Sequence, residues 1–164
     1  VVKVFKIISR LMDDNLLSKA FPFLKEDSEY KITSKKDINY NCIAWAAIYD
    51  DRWLWPPHGA IHLDGVYNVW PKNIPENNDI ETFIELFKTF GYDVCENSNY
   101  EEGFRKVALY VKPGTNLCTH AARQKRGGIW TSKLGKENDI SHSSPESVEG
   151  PVYGKVAYIL KKRN

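Results

Sequence analysis

Cys42 stands at the head of an apolar run, Asn41-Cys42-Ile43-Ala44-Trp45-Ala46-Ala47-Ile48-Tyr49, and His120 opens a strand-like segment far downstream, Thr119-His120-Ala121-Ala122-Arg123-Gln124. A thiol in the first turn of a helix feels the partial positive charge of unpaired backbone N–H groups, which favours thiolate over thiol. An imidazole brought alongside from a strand completes a nucleophile and base pair. The pairing predicts covalent catalysis at Cys42 with His120 as general base. The blander expectation is a small buried hydrophobe at Cys42 and a half-exposed strand histidine at His120. Acyl transfer would also need donors for a developing oxyanion. The backbone N–H of Cys42, helped by the side-chain amide of Asn39 or Asn41, would supply them, although the same asparagines suit a helix cap.

Particular elements must carry these groups to one place. Asp37, Asn39 and Asn41 precede the cysteine, as polar residues do where a helix begins, which puts the thiol at or near the first turn. Residues 106–111, a Pro113-Gly114 turn, residues 119–124, a Gly127-Gly128 turn and residues 129–133 alternate with period two and predict three consecutive antiparallel strands. A polar loop from Gly135 to Gly150 leads to a last strand over 154–160. Asn78 with Glu81 matches a capping box, and Ile80, Phe83, Ile84, Phe87 and Phe90 form an apolar stripe that stops at Gly91, predicting a helix over 79–90. Val1, Val4, Phe5, Ile8, Leu11 and Met12 share one face at helical spacing, while residues 13–36 read as irregular packing with one short helix and an extended piece at Tyr30-Lys31-Ile32-Thr33. The expected fold class is α+β. One domain over 1–164 is predicted, with a helical part over about 1–95 packed on an antiparallel sheet over about 104–162.

A chain of 164 residues is long enough for one domain with a real core. Its 23 basic and 21 acidic residues leave a formal charge of +2, so no global field attracts nucleic acid or an anionic membrane, and neither is an expected partner. No stretch approaches the ~20 apolar residues of a membrane span. The opening Val1-Val2-Lys3-Val4-Phe5-Lys6-Ile7-Ile8 is interrupted by lysines and does not read as a signal peptide. Cys42, Cys95 and Cys118 are an odd number at irregular spacing, not a disulfide framework. Reduced cysteines suit a cytoplasmic location or export as an effector without a signal peptide.

The order of elements, a cysteine beginning a helix and a histidine beginning a strand of a following meander, resembles the papain-like cysteine peptidase superfamily, including its compact NlpC/P60 branch. The resemblance covers roughly residues 37–160. More specifically, Tyr40-Asn41-Cys42-Ile43-Ala44-Trp45-Ala46, Thr119 to Gln124, Trp130-Thr131-Ser132-Lys133-Leu134-Gly135 and Asp139-Ile140-Ser141-His142 look like the signature blocks of a group of small, uncharacterised bacterial domains related to those peptidases. The resemblance implies a cleft between the helical and sheet halves, and a polar residue after the histidine that orients the imidazole. Thr131 or Ser132 occupies that region, with His142 and Asp139 as further candidates. His142 is preferred among them. The papain-type glutamine that precedes the cysteine has no equivalent here, since that stretch reads Ser34-Lys35-Lys36. A toxin or effector role follows from the resemblance alone.

Other residues invite other chemistry. Trp53, Trp55, Trp70 and Trp130, most of them near prolines, would line a groove for a peptide or a sugar face, or else pack the core. Lys133 would serve as a substrate-charge partner or sit exposed. Cys118-Thr119-His120 with Cys95 or His142 lacks the paired spacings of zinc sites, so no metal is expected, and with no phosphate-cradling or dinucleotide loop no cofactor is expected either. Arg123, Lys125 and Arg126 beside Gly127-Gly128 either contact phosphate or form a solvated hairpin tip. Three readings result: a cysteine-dependent acyl-transfer enzyme acting on a peptide or protein substrate, by amide or isopeptide hydrolysis or by glutamine deamidation or transamidation; a non-catalytic peptide- or glycan-binding module using the tryptophan loops; and a subunit whose site a protein partner completes.

Overall fold

In the computed structural model, which describes residues 15–57 and 67–164, the second half of the chain zigzags into an antiparallel sheet. The helix expected over residues 1–12 lies outside the described residues. The long strands are β5 (Phe104–Val111), β6 (Cys118–Gln124), β7 (Trp130–Lys133) and β9 (Lys155–Arg163), close to the segments that period two picks out. Val107, Ala108, Leu109 and Tyr110 are all fully buried, so β5 is covered on both faces. With β1 (Lys31–Ile32), β4 (Asp93–Cys95) and β8 (Asp139–His142) the sheet has seven strands in the order β1-β8-β7-β6-β5-β9-β4. A separate parallel pair joins β2 (Trp53–Leu54) to β3 (Asn68–Val69). The architecture is α+β, with a mostly antiparallel sheet and few helices.

Two helices, α1 (Cys42–Ala46) and α2 (Ile80–Thr89), cover one face of this sheet. Ile43, Ala44, Phe83, Leu86 and Phe87 pack there on Val107, Leu109 and Ala121. Phe21, Leu24, Trp130, Ile140 and Val148 pack on the other face against Ala108, Tyr110 and Ala122. Residues 15–20 are helical, with partly buried Leu17 and Ala20 packed beside that second cluster. The stretch expected to be helical, residues 1–95, also carries β1 to β4 in its described part.

Two local expectations are corrected. The capping box at Asn78 and Glu81 does not form: Asp79 is the N-cap of α2, and Asn77 Oδ1 instead accepts from Asp79 N and Thr82 Oγ1. The polar stretch 135–150 is not all loop, because it contains β8 and a 3-10 turn at Pro145–Val148. β8 escapes the periodicity test because its buried side chains are mostly polar and are held by internal partners, although Asp139 Oδ1 has none. Tyr40 Oη donates to Asp139 Oδ2, Ser141 Oγ to the carbonyl of Glu29, and His142 bonds Ser132.

Irregular pairing beside His120 sets which way its neighbour Cys118 faces. Tyr110 pairs with His120 but Val111 pairs with Cys118, so Thr119 is an extra residue in β6. On the other side of β5, Leu109 pairs with Tyr158 and Tyr110 with Val156, leaving Ala157 extra in β9. An extra residue breaks the two-residue alternation and re-aims the side chains beyond it. Cys118 and Ala121 therefore face α1 and α2, while His120 faces the opposite cluster beside Tyr110.

Candidate active site

Cys42 is the first residue of α1, as its polar approach predicts, but the helix is one short turn and Cys42 is only 7% exposed. Asn41 caps it. Its Oδ1 accepts from Ala44 N and Leu54 N, and its Nδ2 donates to the Leu54 carbonyl. Asn41 thus caps α1 and clamps it to β2. Asn39 is exposed, in a turn where its N–H bonds Asp37 Oδ1, and takes no part in the site.

Burial pushes the Cys42 thiol up to about 11, against the opposing pull of the Ala121 backbone N–H, the N–H groups of Ile43 and Cys42, and the charge of Lys133. The expectation of a favoured thiolate is overturned: desolvation outweighs the partial charges of a one-turn helix. Lys133 is fully buried rather than exposed. Its ammonium donates to the carbonyls of Asp37 and Glu137 and lies 4.9 Å from the Tyr40 ring centroid.

His120 is fully buried and stacked on Tyr153, ring centroids 3.8 Å apart and planes within 6°. Its Nε2 lies 3.0 Å from Ser132 Oγ, which lies 2.9 Å from His142 Nε2, and His142 Nδ1 lies 2.7 Å from the Ser144 carbonyl oxygen. Burial holds His142 down at about 4 and His120 well below its ordinary value, so both rings are neutral near pH 7. A carbonyl can only accept, which sets the direction of every bond in this chain. His142 Nδ1–H donates to Ser144, so His142 Nε2 is bare and accepts from the Ser132 hydroxyl. The Ser132 oxygen then accepts from His120 Nε2–H. The remaining ring nitrogen, His120 Nδ1, carries a lone pair, is shut from solvent and has no hydrogen-bond partner. Of the orienting candidates, Ser132 bonds His120 directly, and the preferred His142 stands one bond behind it.

The predicted Cys42–His120 hydrogen bond is not formed. The thiol packs with the α1 and α2 cluster and lies beside the Ala121 amide, one residue past His120, whereas the imidazole belongs to the opposite face. Between them the sheet is open. β6 and β7 pair only at Arg123–Thr131 and Gln124–Trp130. Beyond those pairs the strands are joined by the His120–Ser132 side-chain bond instead of by the backbone ladder.

Of the four tryptophans expected at a groove, Trp130 lies apart from the other three. Trp130 is 1% exposed in the core of the His120 face. Trp55 and Trp70 pack on Phe83 on the opposite face, with Trp70 Nε1 donating to the carbonyls of Ile74 and Pro75. Trp53 Nε1 donates to the carbonyl of Ile38 at 2.7 Å. The Trp53 and Trp70 rings, with their N–H groups satisfied, serve as staples. Among the described residues, no group of three or more His, Cys, Asp or Glu is placed to hold a metal ion, and no helix is long and apolar enough to cross a membrane. Tyr153, which aligns the His120 ring, is not found by sequence reasoning, because its segment carries no motif beyond the turn glycines Gly150 and Gly154.

One protein family, described as Domain of unknown function (DUF7689), matches residues 31–161, and the chain belongs to it. No curated protein and no solved structure matches the chain.

Proposed function

We propose that this member of the DUF7689 family is a cysteine-dependent acyl-transfer enzyme of papain-like, NlpC/P60-like build, acting on an amide or isopeptide bond of a peptide or protein substrate. The observation that carries the reading is the bare, buried, unpartnered Nδ1 of His120 next in sequence to the amide that touches Cys42. A relay that ends on a carbonyl and leaves one imidazole nitrogen as a free base is the arrangement general-base catalysis needs.

In the proposed reaction, Cys42 and His120 meet through the opening between β6 and β7. His120 Nδ1 takes the Cys42 proton as sulfur attacks the substrate carbonyl carbon, and the N–H groups of Cys42 and Ala121 receive the oxyanion. Collapse of the tetrahedral intermediate breaks the C–N bond, and the imidazolium returns its proton to the leaving amine. Water, deprotonated by the same nitrogen, then cleaves the thioester. Because the resting thiol is protonated, His120 acts as a base during attack rather than as half of a preformed ion pair.

The test is incubation with short peptides and small activated esters, followed by mass spectrometry of products and of the peptide containing Cys42. Acylation at Cys42 that disappears in Cys42→Ala and falls steeply in His120→Gln is expected. Turnover that survives Cys42→Ala, or a Cys42 inert to every acyl donor in the folded protein, would overturn the proposal.

A further inference from the structure

Arg123 does not sit in a solvated hairpin tip. Its guanidinium lies 4.0 Å from the Trp45 ring centroid, half-buried, and among the described residues no carboxylate pairs with it. Its Nε is shut from water and has no hydrogen-bond partner. A donor shut from water without an acceptor is a standing cost that an arriving acceptor removes. Lys125 Nζ lies 5.4 Å from the same ring, so two cations share one aromatic face.

These groups open onto a cleft of about 780 Å³ lined by Arg105, Arg123, Lys125, Arg126, Tyr100 and Phe104 among others, a size suited to a small ligand. Arg105 gives its Nε to Asn164 and lies close enough to Arg123 for the two charges to repel. The one acidic side chain lining the cleft, Glu102, is largely exposed and sits 3.8 Å from the rim residue Arg126. A stacked planar guanidinium has its hydrogen-bonding edge held ready for a two-pronged oxyanion contact.

We propose that this cleft binds a small ligand through an oxyanion, phosphate or carboxylate, received by Arg123. The proposal is independent of the Cys42 chemistry and is tested by binding alone. The intact chain, labelled with ¹⁵N, is titrated at low ionic strength with inorganic phosphate and separately with succinate, following the Arg123 Nε–H resonance in wild type and the backbone amide resonances of residues 123–126 in wild type and every variant. A saturable shift with either probe is expected, and the probe that produces it identifies the group recognised. Affinity should fall by at least about tenfold in Arg123→Gln and, at unchanged Tm, also in Arg105→Gln, but little in Arg126→Ala at the exposed rim. No saturable shift with either probe, or equal affinity in wild type and both inner variants, would overturn the proposal and leave Arg123 as a staple on Trp45.

Discussion

Ser132 Oγ lies 3.0 Å from His120 Nε2 and turns the imidazole so that its other nitrogen is a base. In Ser132→Ala both histidines lose a buried partner, and a loss of roughly 1–3 kcal/mol in unfolding free energy is expected from urea titration. The ¹⁵N shifts of His120 should show the Nε2–H form giving way to a mixture of tautomers. An unaltered tautomer would detach Ser132 from the orienting role.

Acid should weaken the fold through the same network. His142 takes up its proton near 6.5 when unfolded and only near 4 when folded, so the unfolded chain holds more protons between those values and stability rises with pH across them. The contribution is complete above about 6.5 and is lost as pH falls toward 4, an effect on the order of 3 kcal/mol, with His120 acting in the same direction. Urea unfolding between these pH values measures it. His142→Gln should flatten the slope, and an unchanged slope would place the acid sensitivity elsewhere.

The cap at Asn41 joins α1 to β2, so Asn41→Ala should cost about 1–3 kcal/mol by chemical denaturation. A change within about 0.5 kcal/mol would mean the clamp carries little of the site's rigidity.

Gly154 packs closely on the end of β5, next to the irregular pairing. Its φ is +74°, and a Cβ there would collide with the Val111 carbonyl oxygen and lie 2.9 Å from Pro113 Cδ. Gly154→Ala should cost more than about 2 kcal/mol, whereas Gly114→Ala, at φ +75° but with open space around it, should cost only about 1. Equal losses in thermal melts would show that the close approach at Gly154 relaxes freely.

Much of this arrangement is legible in the sequence wherever one residue's neighbours decide its state. Asn41 before an apolar run announces the start of α1, and the period-two stretch ending at Val111 announces β5. The order of Ser132 and His142 is not legible, because it depends on a β7–β8 pairing hidden in a stretch with little apolar signal. Nor is the facing of Cys118 relative to His120, which turns on the one extra residue at Thr119. The protonated state of Cys42 follows from the depth of burial, and a helix start alone predicts the opposite.

The central claim is that His120 Nδ1 takes the proton from Cys42. Its most direct test is the rate of Cys42 acylation by a small activated ester against pH, read by peptide mass spectrometry so that Cys95 and Cys118 do not contribute. Wild type should hold a plateau from near neutral pH to about 9, at least about a hundredfold above His120→Gln, whose rate should climb with thiolate toward a pKa of about 11. Superimposable climbing profiles in the two proteins would contradict the claim, because they would leave a bare thiolate reacting with no help from His120.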